Sequence, residues 1–213
     1  MKLVNVVDII KMKKEKIMIV TLVKAILAGI LIGMGGTVYL NNPGPLGAFL
    51  FALGLFVICT RAYNLFTGKV GYSLDKSIAK SLPVIWIGNF IGTFIVAMAI
   101  KYSCPHLSTE GLVIAKITSP YVVMFIKGVF CGILMFLAVD TYKKQGANVF
   151  GLFGIVIPVA VFILSGFNHC IADMFYISMH KWSLDAFIYI IIVTLGNSVG
   201  GLLLPVLEKI KEN

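Results

Sequence analysis

Six apolar stretches, each about as long as a membrane-crossing helix, constrain this chain more than any other feature. They cover residues 17–40, 45–67, 83–103, 119–142, 149–178 and 184–207. A helix needs about 20 apolar residues to cross the hydrocarbon core of a bilayer. Only 13% of the residues are charged, whereas soluble domains carry about 25% charged residues. The sequence therefore predicts one all-α integral membrane domain with six transmembrane helices.

The distribution of lysines predicts the orientation of this domain. Basic segments occur at both termini and in the connections 68–82 and 143–148. Six crossings place all of them on one side, which the positive-inside rule makes cytoplasmic. We expect a multi-pass protein of the cell membrane, with a basic interfacial segment at 1–16, a six-helix domain at 17–208 and a cytoplasmic tail at 209–213. Topology and contact with anionic membrane lipid explain the net charge of +9, so the charge does not indicate nucleic acid.

Two short matching segments predict an internal repeat. Residues 87–92 read IGNFIG and residues 195–200 read LGNSVG. Each segment lies in the last span of a three-helix half. Two halves with three crossings each run in opposite directions, as in transporters built from inverted repeats.

The second span of each half contains a polar interruption. The first is RAYNLFTG at 61–68 and the second is SGFNH at 165–169. The run 149–178 is too long for one straight crossing, and a break near Gly166 would resolve its length. Unwound backbone at membrane depth is tolerated only where protein or a water-filled cavity surrounds it. Two broken helices that meet near the midplane therefore predict a binding or permeation site.

Three polar residues in or near these interruptions, together with a lysine before the fourth span, are candidates for that site. His169 and Asp173 lie one helical turn apart, Thr67 lies near the end of the first interruption, and Lys116 precedes the fourth span. Desolvation favours a neutral imidazole, which can still donate one hydrogen bond to a small anion or to its conjugate acid. Structural alternatives stay open. His169 and Asp173 could form interhelical hydrogen bonds, and Lys116 could be an interfacial lysine that reaches water.

Five motifs in the same order resemble those of the formate/nitrite transporter family. That family carries L-F-T-[GS] in its second span and a signature close to S-G-[FY]-E-H-S-[VI]-A-N-M in its fifth. LFTG at 65–68 and SGFNHCIADMF at 165–175 resemble these two motifs. AKITSP at 115–120 resembles the family's A-K-T-x-[AS]-P, and FIKGVFCGILMFLAV at 125–139 resembles its fourth helix. The two G-N motifs resemble those of its third and sixth helices, so the likeness covers nearly the whole chain.

The resemblance implies roles for individual residues. His169 matches the central pore histidine, Thr67 the hydrogen-bonding threonine of the loop, and Lys116 the lysine of the outer vestibule. Asn89 and Asn197 match asparagines that brace the interrupted helices. Hydrophobic constrictions are implied at Phe51, Leu55 and Leu65 toward one side, and at Phe66, Val139 and Phe162 toward the other. From the residues alone, these six side chains are indistinguishable from ordinary core packing.

The sequence departs from the family pattern at three polar positions. The glutamate before the histidine is Asn168 here, and the acidic residue of the first loop is Asn64. The asparagine four residues after the histidine is Asp173. Two carboxylates are lost and one is gained. We expect this change to alter proton handling around His169.

The resemblance further implies a homopentamer of aquaporin-like protomers, each with its own pore and no cofactor. We expect Lys116 to attract a small monovalent anion and hydrophobic rings to exclude hydrated ions. His169 and Thr67 would meet the substrate, which crosses with a proton or as its neutral acid, because neutralisation removes most of the desolvation penalty.

Formate or nitrite is the expected substrate class, and no nucleophile–base pair or carboxylate cluster suggests an enzyme. Two alternatives stay open. One is a channel for hydrosulfide, lactate or another small solute on the same fold. The other is a membrane-embedded metal or haem protein that uses His106, His169, His180 and the four cysteines.

Overall fold

The computed structural model describes the backbone of residues 6–212 and the side chains of residues 12–210. The first five residues of the predicted basic segment 1–16 lie outside this part. In the described residues, the chain forms nine α-helices, one short 3-10 helix at Val70–Tyr72 and no strand. The helices are α1 (Val6–Asn41), α2 (Pro45–Thr60), α3 (Phe66–Lys69), α4 (Lys76–Ser103), α5 (Glu110–Ile117), α6 (Tyr121–Gln145), α7 (Val149–Leu164), α8 (Cys170–Met179) and α9 (Leu184–Glu212). The predicted all-α class is confirmed for these residues.

Four of these helices, α1, α4, α6 and α9, contain segments long and apolar enough to cross a membrane. The segments are Met12–Asn41, Lys76–Ser103, Tyr121–Gln145 and Leu184–Ile210. The helices α2, α7 and α8 are shorter and apolar. Large apolar side chains also cover the outside, among them Leu53 at 64% and Phe150 at 74% exposure. Such surfaces suit lipid tails rather than water, which indicates a multi-pass membrane protein.

Two breaks interrupt the shorter helices. One separates α2 from α3 at residues 61–65, and the other separates α7 from α8 at residues 165–169. Each break contains a residue with left-handed backbone, Ala62 (φ 50°) in the first and Gly166 (φ 65°) in the second. A left-handed residue commonly ends a helix, and glycine adopts this conformation without steric penalty. The second break lies at Gly166, where the sequence predicts it.

The backbone conformation of the two breaks predicts opposite effects of two small substitutions. Ala62→Gly is expected to raise the free energy of unfolding by about 0.5–1 kcal/mol, because glycine relieves the left-handed strain. Gly166→Ala is expected to lower it by about 1 kcal/mol, although a Cβ at this position meets nothing within 4 Å. Denaturant titrations of the two variants in detergent micelles measure both effects. Shifts of the same sign in the two variants would contradict the expectation.

The first break is held by Asn89 of α4, which is fully buried. Its side-chain amide donates to the carbonyl oxygens of Ala25 and Asn64, both at 2.8 Å. Its Oδ1 accepts the backbone N–H of Phe66 at 2.8 Å. One asparagine therefore satisfies backbone groups that the broken helix leaves without an intrahelical partner.

The second break is held in the same way by Asn197 of α9, also fully buried. Its amide donates to the carbonyl oxygens of Gly128 and Asn168 at 2.8 Å, and its Oδ1 accepts the N–H of Cys170 at 2.9 Å. The two halves of the chain thus repeat one hydrogen-bond arrangement.

Main-chain bonds tie both breaks to the long helices α1 and α6. The N–H of Asn64 donates to the carbonyl of Lys24 at 3.2 Å, and the N–H of Asn168 donates to that of Lys127 at 3.3 Å. Lys24 and Lys127, which lie within apolar stretches, therefore contribute main-chain acceptors at equivalent positions of the two halves.

Candidate functional site

The two breaks bring His169 and Thr67 together. Thr67 lies in α3, and His169 is the residue that precedes α8. The hydroxyl oxygen of Thr67 lies 2.9 Å from Nε2 of His169, although the residues are 102 positions apart. Their exposures are 0% and 2%. The polar pair predicted from the two interruptions is therefore a buried contact between the halves.

Hydrogen bonds assign the tautomer of the neutral His169 ring. Nδ1 accepts the backbone N–H of Ala172 at 3.1 Å, so it carries no proton. Nε2 then carries the proton and donates it to Thr67 Oγ1. Among the described residues, Thr67 Oγ1 has no other hydrogen-bond partner, so its hydroxyl hydrogen can point toward a bound acceptor. The pair can therefore donate to a small anion while the imidazole stays neutral.

Apolar rings surround this pair on one side. The ring of Phe162 stacks on that of His169 with centroids 5.5 Å apart. The ring of Phe51 meets Phe162 edge-on at 6.0 Å. Both phenylalanines and Leu55 are buried. A hydrated ion would meet hydrocarbon here, with the polar pair directly beyond.

The position of Leu65 differs from the grouping expected from the resemblance. Leu65 and Val139, which the resemblance assigns to opposite sides, line one cavity of about 280 Å³. The reason is that Leu65 immediately precedes α3, which packs against α6, the helix that carries Val139. Phe51 and Phe162, which the resemblance also assigns to opposite sides, are in ring contact. Phe66 is buried at the start of α3.

The two halves differ at the position that matters most for chemistry. The hydrogen bonds to Asn89 and Asn197 make Leu65 the counterpart of His169, since each residue precedes the N–H that the asparagine binds. His169 caps α8 with its side chain, whereas Leu65 forms no side-chain cap on α3. The repeat therefore places an imidazole in one break and hydrocarbon in the other.

Two lysines line the cavity beside Leu65 and Val139, which we call the lysine-lined cavity. Lys69 ends α3 and is half-buried, and Lys143 holds its ammonium 3.4 Å from the centroid of the Tyr72 ring. None of the described lining residues is Asp or Glu. Burial lowers the pKa of Lys69, and the ammonium groups of Lys143 and Lys24 lower it further. In the sequence, these lysines indicate only the topology, although Lys69 directly follows LFTG.

A second polar group, the Lys116 cluster, comprises Lys116, Asn168, Asp173 and Tyr189. The ammonium of Lys116 lies 2.9 Å from Asn168 Oδ1 and 3.0 Å from Asp173 Oδ1. Asp173 Oδ2 accepts the hydroxyl of Tyr189 at 2.7 Å. Asp173 and Lys116 therefore form an ion pair. Tyr189 cannot be predicted from the sequence as a member of the cluster, because nothing in its spacing from Asp173 signals a contact.

Two of the three departures from the family pattern meet in this cluster. Asn168 and Asp173 contact the same ammonium. The family pattern has an acid at the first position and an amide at the second, and this chain has the reverse. In both arrangements, one of the two residues that contact Lys116 is a carboxylate. The third departure, Asn64, lies elsewhere. Its amide donates to the carbonyl of Thr21 at 3.3 Å, beside a groove lined with lysines of α1.

A metal or haem site, the second alternative, would need three histidines and the cysteines as ligands. His169 lies in the second break, His180 caps the end of α8, and His106 lies in the connection before α5. In residues 12–210, His, Cys, Asp and Glu form no group of three that could hold a metal ion.

Known proteins provide an independent comparison. The sequence model for "Formate/nitrite transporter" matches residues 3–209. The formate channel FocA of Haemophilus influenzae is 26% identical over 196 residues, which cover 73% of this chain and 69% of that protein. The nitrite transporter NirC of Escherichia coli is 28% identical over 184 residues, which cover 75% and 68%.

Solved structures share the fold. An FNT family ion channel superposes with a TM-score of 0.82 at 23% identity, covering 92% of this chain and 90% of that one. A pentameric formate channel with formate bound gives 0.79 at 23% identity, covering 92% and 97%. The relatives are transporters or channels, which confirms the prediction of a transport protein rather than an enzyme. Because the family match extends along almost the whole sequence, the chain belongs to the formate/nitrite transporter family.

Proposed function

We propose that this protein is a channel or transporter for small monovalent anions of weak acids, in the formate or nitrite class. The observation that carries the proposal is the buried contact between Thr67 and His169 at 2.9 Å, where the two broken helices meet. A bare anion in an apolar passage needs hydrogen-bond donors, and this pair supplies them beside Phe162.

The proposed architecture is six crossings in two inverted three-helix halves, with both termini in the cytoplasm. The repeated hydrogen bonds of Asn89 and Asn197 support two equivalent halves. Three crossings in each half invert one half relative to the other. The protein would lie in the cell membrane, with its basic segments against anionic lipid. By analogy with the pentameric formate channel, we propose a homopentamer with one pore per protomer.

In this orientation, the substrate path has three parts. The Lys116 cluster lies at the outer side, and the lysine-lined cavity lies at the cytoplasmic side. Between them, the apolar residues flank the donors of His169 and Thr67. An anion that takes up a proton crosses this middle part as a neutral acid, because desolvation of a charge is far costlier than desolvation of the acid.

Flux into proteoliposomes tests the proposed function. Formate, nitrite, lactate and hydrosulfide are offered separately, with and without an inward proton gradient. We expect saturable uptake of formate or nitrite that the proton gradient stimulates. Preference for lactate or hydrosulfide would move the substrate to the alternative class. If none of the four enters faster than into empty liposomes, the proposal is wrong.

A separate prediction concerns the two lysines of the lysine-lined cavity. Lys69→Gln together with Lys143→Gln is expected to slow formate uptake into inside-out membrane vesicles about tenfold at low ionic strength, because the two cations of the cavity no longer concentrate the anion at the cytoplasmic face. The difference should shrink at high salt. Lys76→Gln with Lys80→Gln removes the same charge from the proposed cytoplasmic face without changing a residue that lines the cavity, so it serves as the control. Equal slowing in both double variants would assign the effect to general surface charge.

A further inference from the structure

We propose that Asp173, anchored by Tyr189, is an internal counter-ion that competes with the transported anion for Lys116. The inference rests on the proposed function and adds a determinant of charge selectivity at the outer side of the pore. Tyr189 becomes a positioning residue in this scheme, since it contacts Asp173 and not the substrate.

Burial and contacts hold Asp173 in place. It is 2% exposed, and it is the only buried carboxylate in residues 12–210. One oxygen pairs with Lys116 at 3.0 Å, and the other accepts the hydroxyl of Tyr189 at 2.7 Å. Tyr189 is fully buried, so the carboxylate cannot turn toward solvent without losing this bond. Asp173 therefore connects α8 to α9 through Tyr189, and to α5 through Lys116.

The arrangement leaves the Lys116 ammonium incompletely used. An ammonium has three N–H donors, and the contacts with Asn168 and Asp173 occupy two of them. The side chain of Lys116 is 17% exposed, which leaves a path for a third acceptor. An anion that binds there is also repelled by the carboxylate of Asp173. The ion pair as a whole has no net charge, so it exerts no net attraction on the anion.

The ion pair would therefore distinguish substrates by their charge, instead of attracting every anion. A permanent anion such as chloride gains one hydrogen bond but no net electrostatic attraction. A weak acid avoids the repulsion by Asp173 when it arrives protonated. The pair of Lys116 and Asp173 would thus favour weak acids over anions of strong acids, before the substrate reaches the apolar rings.

A charge series in right-side-out membrane vesicles tests the inference. The cluster has a net charge of zero in the wild type, +1 in Asp173→Asn, −1 in Lys116→Gln and zero in the double variant. At low ionic strength, Asp173→Asn is expected to raise chloride uptake about tenfold, the effect of one partly screened unit charge. Formate uptake should rise less. Lys116→Gln should slow the uptake of both anions, and adding Asp173→Asn should raise it again.

Two further measurements separate electrostatics from structure. High salt should reduce the differences within the series, whereas a purely structural defect would persist. The exchange variant Asn168→Asp with Asp173→Asn moves the carboxylate to the other contact of Lys116. It should bring chloride uptake down from the value of Asp173→Asn. If Asp173→Asn alone does not fold, comparison of Lys116→Gln with the double variant gives the same test.

Each outcome decides the matter. Chloride uptake that follows the net charge of the cluster supports the counter-ion. Wild-type formate uptake combined with unchanged chloride uptake in Asp173→Asn overturns it, and so does equal chloride uptake in Lys116→Gln and the double variant, while the proposed function stands. Absence of formate and nitrite flux in the wild type overturns the proposed function, and the inference that rests on it falls as well.

Discussion

Replacement of Asn197 by alanine is expected to lower the free energy of unfolding by about 3 kcal/mol, because buried backbone groups lose their partner. The N–H of Cys170 begins α8 and the carbonyl of Asn168 lies in the unwound segment before it, so neither group has an intrahelical partner. Alanine also leaves a cavity where the amide packs, which adds to the loss. Asn89→Ala removes the equivalent bonds from the first break, and we expect a loss of similar size.

Unfolding in micelles by a graded denaturant measures these losses. Asn41→Ala is the matched control, since Asn41 is an exposed asparagine whose amide donates to the carbonyl of Thr37 on its own helix. Exposed substitutions of this kind change stability by about 0.5 kcal/mol or less. If Asn197→Ala and Asn41→Ala gave equal losses, Asn197 would not be bracing the break.

Replacement of His169 by phenylalanine is expected to reduce formate flux at least about a hundredfold, because an anion in the apolar passage then loses its donors. Phenylalanine can stack on Phe162 as the imidazole does, so the packing is largely kept. The variant cannot donate to Thr67 or accept the N–H of Ala172. Thr67→Val, which removes the hydroxyl at nearly constant volume, should reduce the flux in the same direction.

Controls separate this chemistry from the role of His169 as a helix cap. His169→Asn restores a capping oxygen for α8 but shortens the side chain that reaches Thr67, so it should fold well and still conduct poorly. Thr67→Ser keeps the hydroxyl and should conduct far better than Thr67→Val. Proteoliposome flux and thermal unfolding are measured on the same preparations. Wild-type flux in His169→Phe would remove the central claim of the proposed mechanism.

Local patterns predict much of this fold, because hydrophobic length and glycine position act within one segment. The apolar stretches become α1, α4, α6, α9 and the broken pairs. The break at Gly166 follows from a run that is too long for one crossing, and its left-handed φ of 65° is a conformation that glycine adopts without strain. The first break has Ala62 in the same role, which no residue preference would predict.

The partners of the polar residues depend on how the helices cross. The sequence places Lys116 before the fourth span but does not identify its partners, which are Asn168 and the carboxylate of Asp173 that Tyr189 of α9 holds. The resemblance groups Leu65 with Phe51, but α3 packs on α6, and Leu65 lines the same cavity as Val139.

The sequence by itself determined the all-helical class, the positions of the apolar segments and the residue types available for a site. These depend on short-range physics, since every apolar segment must match a bilayer and every broken helix must end at a residue that permits it. Only the tertiary structure decided that His169 contacts Thr67 and that Asp173 forms an ion pair with Lys116. The reason is that a side-chain contact between residues far apart in the sequence depends on the relative placement of whole helices, which no local pattern encodes.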